Sequence, residues 1–417
     1  MKYNRSKTML FFTSILLLCA ISLSGCTFMI DLSESGIGNT KNNGSKNETA
    51  ADTKTEEFEE YPDLLEDEGL IYDMLSDLEK NIYTRLYHSV LNGEDECVIQ
   101  NVIVSQYQNA LPKAINAFLY ENPEFFYFNG GYSCTKMQTQ YGYAETITIR
   151  LDKYSFCATP SQQEVMSYNL NRTADAIAEK ASKLPTDYEK VLYVHDYIVK
   201  NTNYDHEAAK AFSSENMSVE EEMAHTAYGA LVRGLAVCDG YSKAFGMLMS
   251  KLGIDCMYVT GTGKLMPHAW NCVKIDGDFY YTDITWDDPT SSDRTDTSAD
   301  NISYTYFALT SEMFEKTHKA EEKYFTYPEC TATKYNYYMN NGMHLEKYYF
   351  NAFSDAVEAQ AGNDRIYIAF SDADEYQKAI KDIITNKKFS SIPSLSGGSI
   401  RYSKDDINLV LTVYPTK

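Results

Sequence analysis

Apolar positions between Leu235 and Pro289 follow two periods, one helical and one extended. Tyr241, Phe245, Leu248 and Leu252 recur at i, i+4, i+7 and i+11, which lays one apolar stripe along a helix. Gly253 stands where a helix C′ glycine is expected, and Cys238 lies at or just before the helix N-terminus. Further on, His268 to Ile275 and Asp278 to Thr285 read as strands joined by Asp276-Gly277, a strong two-residue hairpin signal. With that pair as the loop, Ile275 faces Asp278, Trp270 faces Asp283 and His268 faces Thr285. Paired residues share a face and every second residue stays on it. His268 and Asp283 are therefore diagonal neighbours on one face, and Trp270 shares it. A single bulged residue at the turn would separate them.

The same patterns divide the chain into five stretches. Residues 1–25 carry a basic start (Lys2, Arg5, Lys7) and an apolar run from Met9 to Ile21, which is short for a membrane span. The run ends in Leu23-Ser24-Gly25-Cys26, which resembles a bacterial lipobox. That resemblance implies lipid attachment at Cys26 and a protein held outside the cytoplasm on the bacterial cell membrane. Residues 26–60 are rich in Ser, Gly, Asn, Thr, Lys and Glu and bury too little to fold, so they read as a flexible tether. Residues 61–182 form an N-terminal α+β region. Its helices are expected at 75–92 and 105–120, its strands at 97–104, 125–128 and 145–151, and a helix over 162–183 leads onward. Residues 183–310 hold a helix capped by Thr186-Asp187, a polar loop over 206–223, the helix and hairpin described above, and a strand over 303–309. Residues 311–417 form a C-terminal accessory α+β region. Its strand, helix and two strands (365–370, 373–385, 399–403, 407–413) follow the order of residues 97–151.

The chemistry concentrates in the middle stretch. A helix N-terminus favours negative charge, which suits a thiolate at Cys238. His268 can take the thiol proton and return it to a leaving amine, and Asp283 can fix the imidazole tautomer. An isolated Cys is usually a small core residue. The case for catalysis rests on all three residues together, in this order and on these elements. Trp270 is expected to wall the substrate slot. The Cys238 backbone N–H is a natural oxyanion donor, with Tyr204, Tyr228 or Tyr241 as candidate second donors. His195-Asp196, on the preceding helix, read as structural.

Three segments carry a family resemblance: KVLYVHDYIVKNTNYD (190–205), GLAVCDGYSKAF around Cys238, and HAWNCVKIDGDFYYTDITWDDP holding His268 and Asp283. Together they resemble the transglutaminase-like superfamily, which shares the papain-type Cys-His-Asp arrangement. The resemblance spans about residues 184–289. It implies an α+β fold, with a helix-borne Cys packed on an antiparallel sheet and small α+β modules flanking that core. It also implies acyl transfer through a thioester, with the catalytic roles at Cys238, His268 and Asp283. The acceptor can be an amine, as in a transglutaminase, or water, as in a deamidase, amidase or cysteine protease. A catalytically silent binding or scaffold protein of the cell envelope is the alternative class.

Charge narrows the partners. The 417 residues carry a formal net charge of −22. Residues 1–25 contribute three cations and no acid, so the charge becomes −25 without them. Such a surface argues against nucleic acid and leaves protein or peptide substrates, including envelope components, as the expected partners. Nine cysteines form no CxxC pair, so no zinc site is expected, and the sequence calls for no cofactor. Cys256 and Cys272 fall in neighbouring expected strands, but no disulfide is expected. Asp287 and Asp288, with Asp293, Asp296 and Asp300, lack an EF-hand spacing and read as a solvated acidic loop.

Overall fold

A computed structural model describes residues 69–102, 104–138, 144–157, 159–211, 217–291 and 302–415. The expected signal and tether, Cys26 with them, lie outside the described residues, as do Asp293, Asp296 and Asp300. The chain divides into two units. One comprises residues 72–119 and 127–160, and the other 69–71, 120–126 and 161–417.

The first unit is built on α1 (Asp77–Leu91), β1 (Cys97–Val102), α2 (Val104–Glu121), β2 (Phe128–Gln138) and β3 (Ala144–Lys153). Ser76 starts α1 with a capping box closed by Glu79, and Ile82, Tyr83 and Leu86 supply its buried face. The three strands form an antiparallel sheet in the order β1-β3-β2. Residues 125–127 turn toward β2 where a strand was expected, and β2 begins at Phe128.

In the second unit, α3 (Pro160–Ala181) and α4 (Asp187–Asn201) precede β4 (Asn203–Tyr204). Thr186 caps α4 and accepts from the Glu189 N–H. Residues 206–223, expected as a loop, contain α5 (His206–Ala211) and part of α6 (Val219–Ala224). Ser218-Val219-Glu220-Glu221 is itself a capping box that the polar composition obscured. Next come β5 (Leu235–Ala236), α7 (Cys238–Lys251), β6 (Cys256–Gly263), β7 (Met266–Ile275), β8 (Asp278–Thr282), α8 (Ile284–Asp287), α9 (Ser311–Phe314) and β9 (His318–Ala320). Strands β8-β7-β6-β9 make one antiparallel sheet, with α7 against β6 and β7. The fold is α+β, with the Cys-bearing helix on an antiparallel sheet. Residues 303–309 form turns rather than a strand and join the sheet only through a bridge from Leu309 to Tyr281.

The C-terminal part of this unit adds α10 (Tyr337–Asn340), β10 (His344–Leu345), α11 (Phe350–Glu358), β11 (Ile366–Phe370), α12 (Ala373–Ala379), β12 (Ile400–Asp405) and β13 (Val410–Pro415). Its sheet runs β10-β11-β13-β12. The β11-α12-β12-β13 portion repeats the connectivity of β1-α2-β2-β3. In both, the third strand lies antiparallel between the first and second. Among the described residues no helix is long and apolar enough to cross a membrane.

Candidate active site

Cys238 is the first residue of α7, after an extended Val237. Its helix start is anchored from several sides. The Val237 N–H donates to the Ala224 carbonyl, and Ser242 Oγ donates to the Cys238 carbonyl. Asp239 bridges His225 at 3.0 Å and Lys243 at 3.5 Å. Burial opposes its charge, but His225 and Lys243 hold the Asp239 carboxyl down at about 2. Gly240 is required by close approach, since a Cβ there would lie 2.4 Å from the Ala224 carbonyl oxygen. Parallel pairing of β4 with β5 sets Tyr204 opposite Ala236, two residues before the thiol.

The hairpin has the register that the Asp-Gly turn dictates, with Ile275 opposite Asp278 and Asn271 opposite Thr282. Asp276 and Gly277 both take positive φ, as that turn needs. The second strand ends at Thr282, three residues earlier than its apolar run suggested. There the Asp283 side chain caps α8 by accepting from the Trp286 N–H at 3.2 Å. Its other oxygen, Oδ2, lies 2.8 Å from His268 Nε2. This leaves His268 Nδ1 for Cys238, with which the ring also interacts. The structure thus brings Cys238, His268 and Asp283 together.

The electrostatics follow from burial and pairing. Burial disfavours the imidazolium of His268, but the charges of Asp283 and Cys238 outweigh it and push its pKa up to about 10. Burial likewise works against the Asp283 charge. His268 and His318 still hold its carboxyl well below the usual range.

His318 was not anticipated. It lies on β9, opposite Gly263 on the edge of β6, with Nε2 3.2 Å from Asp283 Oδ2 and Nδ1 2.9 Å from Thr317 Oγ1. Nothing local in the sequence marks it, because its position depends on how β9 joins the sheet. His268, Asp283 and His318 are also a group whose ligand-type atoms lie within 4.8 Å of one another. The Asp283 oxygen is at hydrogen-bond distance from both rings, so protons join the three.

Trp270 does not line an open slot. It is 1% exposed, with its ring 5.5 Å from Phe314 and 5.0 Å from His318. Sharing a face with His268 carried it inward, one step deeper into the sheet. Trp286 is the indole beside the histidine. It is only partly buried, its ring is 5.2 Å from His268, and Lys264 Nζ sits 4.8 Å over it. Among the candidate oxyanion donors, Tyr241 is buried and spends its hydroxyl on Asp288. Tyr228 stacks on Phe126 at 5.3 Å. The Tyr204 phenol is half-buried, and its pKa is raised by burial first and next by the charge of Cys238.

The expected acidic loop is different in structure. Asp287 and Asp288 are buried, at 0% and 2% exposure. Asp287 meets His195 Nε2 at 3.2 Å and the Tyr306 N–H at 3.0 Å, while Asp288 takes the Tyr241 hydroxyl and the Thr290 N–H. His195 is fully buried between Asp287 and Asp196, as a structural histidine would be. The described cysteines are free thiols. The strand register sets Cys272 opposite Met257, not Cys256, and its Sγ lies 3.8 Å from Cys330 Sγ.

Comparison with known proteins points the same way. Residues 175–284 match the Transglutaminase-like superfamily. Mouse kyphoscoliosis peptidase is 26% identical over 175 residues, covering 39% of this chain and 23% of that protein. The human kyphoscoliosis peptidase is 25% identical over 158 residues, covering 35% and 22%. The chain therefore spans less than a quarter of the length of these curated relatives. The crystal structure of a TGase aligns over 39% of this chain and 56% of its own, at 14% identity and a TM-score of 0.27. With Cys238, His268 and Asp283 all inside the matched stretch, residues 175–284 are a transglutaminase-like superfamily domain.

Proposed function

We propose that this chain is a surface-anchored thiol acyltransferase that acts on carboxamides of proteins or peptides. The carrying observation is His268, held by Asp283 at 2.8 Å on one side and facing Cys238 at a helix start on the other. Cys238 Sγ attacks a side-chain carboxamide while His268 carries the thiol proton. The tetrahedral intermediate collapses, and that proton leaves with the departing ammonia. The thioester then passes its acyl group to an amine, giving an isopeptide bond, or to water, giving deamidation. The second reading, peptide-bond hydrolysis through the same intermediate, is favoured by the peptidase names of the curated relatives.

The test is incubation of the protein with glutamine-containing casein and a fluorescent primary amine, beside Cys238→Ala. Amine incorporation by the wild type alone is expected. Cys238-dependent ammonia release or chain cleavage without incorporation would move the assignment to a deamidase or protease. Identical behaviour of the two proteins in all three readouts would sink the catalytic reading. We also propose anchoring through a lipidated Cys26, with residues 26–60 as spacer, supported by the apolar run and the lipobox-like tetrapeptide. In bacterial cells, Cys26→Ala is expected to abolish fatty-acid labelling of the protein. Undiminished labelling would overturn the assignment.

A further inference from the structure

We propose that His318 is a positioning residue of the triad. It donates its Nε2–H to the same Asp283 oxygen that receives His268, and so keeps that carboxylate turned toward the catalytic histidine. The inference rests on the proposed thiol chemistry and deepens it.

Proton placement follows from the partners. Asp283 is a carboxylate with no proton to offer, so the 3.2 Å contact needs a donor on His318 Nε2. Burial opposes charge on His318 and lowers its pKa, although the Asp283 carboxylate works the other way. The Thr317 hydroxyl lies 2.9 Å from Nδ1 and donates to the Phe314 carbonyl at 3.3 Å, which ties this side of the ring to the turn before β9.

The ring is clamped. It stacks on Phe314 at 4.0 Å and lies 4.3 Å from Trp286. Its backbone is fixed by pairing with Gly263, and the preceding carbonyl, of Thr317, accepts from the Lys264 N–H at 2.9 Å. Asp283 needs such help. It stands where β8 gives way to a four-residue helix, and among the described residues only the Trp286 N–H holds its other oxygen. With two imidazoles on Oδ2 and one N–H on Oδ1, any rotation of the carboxylate breaks a bond. If the cage of Phe314, Trp270 and Trp286 needed only filling, an apolar side chain would do so without burying polar nitrogens.

The experiment compares His318→Leu with His318→Gln, alone and in an Asp283→Asn background, each first checked for folding by thermal melting. Two readouts apply: the rate of iodoacetamide alkylation at the Cys238 peptide, followed by mass spectrometry, and the downfield proton resonance of the His268 Nε2–H. The Leu variant is expected to lose about tenfold in alkylation rate and to lose the resonance. Gln, whose amide N–H reaches the same oxygen, should stay within about threefold of wild type. In the Asp283→Asn background the Leu substitution should cost nothing further, because its effect passes through the carboxylate. A wild-type rate and intact resonance in the Leu variant would overturn the proposal, as would Gln no better than Leu, or costs that add. Wild-type Cys238 alkylating no faster than in the unfolded chain would instead remove the proposed function. The resonance would still decide the role of His318.

Discussion

Asp283→Asn is expected to lower kcat by about three to four orders of magnitude with little loss of fold, as the same change does in a Ser-His-Asp triad. Asn is a good helix cap, and its Oδ1 can keep accepting from the Trp286 N–H, so α8 retains its start. The Nδ2 group then replaces Oδ2 and presents protons to His268 Nε2, where a carboxylate accepted one. His268 answers by moving its own proton to Nδ1, the nitrogen facing Cys238. A ring protonated there cannot take the thiol proton. The charge change has a second signature. His268 is held protonated up to about pH 10 because Asp283 and Cys238 outweigh the burial that opposes its charge. Without the carboxylate its pKa falls, so any activity left in Asp283→Asn should lose its alkaline limb at lower pH than wild type. A rate–pH profile and a circular-dichroism melt check both parts. A kcat within tenfold of wild type would mean that Asp283 does not orient the base.

How much of this was legible beforehand depended on whether a residue's partner was local. The Asp276-Gly277 turn fixes a hairpin register by backbone geometry alone, and that register placed Asp283 beside His268. The helical stripe of Tyr241, Phe245 and Leu248 likewise fixed Cys238 at a helix start. His318 was invisible, because a three-residue strand on the edge of β6 is chosen by tertiary pairing, 35 residues beyond Asp283. Asp287 and Asp288 were misread for a related reason. A run of acids looks solvated unless its neutralising partner is known, and for Asp287 that partner, His195, lies 92 residues earlier. Trp270 shows the limit of face arguments. Strand alternation says which side a residue is on, but not how deep in the sheet that side is covered.

Asp287→Ala is expected to destabilise the chain by about 3–5 kcal/mol at neutral pH, the usual cost of removing one partner from a buried ion pair. Asp287 and His195 are both fully buried, 3.2 Å apart, and Ala would also orphan the Tyr306 N–H. Burial disfavours charge on His195, yet hydrogen bonds and charges from Asp196 and Asp287 raise its pKa to about 9. Burial raises Asp287 to about 6 despite His195. At neutral pH the pair is therefore charged on both sides. The sign of the pH dependence follows from proton counting. Folded His195 keeps its proton up to about 9, whereas the unfolded chain releases it near 6.5. The folded state binds more protons across that interval, so the contribution of the pair drains away as pH rises from 6.5 through 9; below about 6 it fades as well, because Asp287 takes up a proton. His268 drains in the same sense toward 10, but wild type and variant share that loss and it cancels in their difference. Urea titrations of both proteins should therefore show a wide stability gap at pH 6.5 that narrows by pH 9. A gap that stays constant between those pH values would show that Asp287 supports the fold through packing and the Tyr306 N–H, without a charged His195.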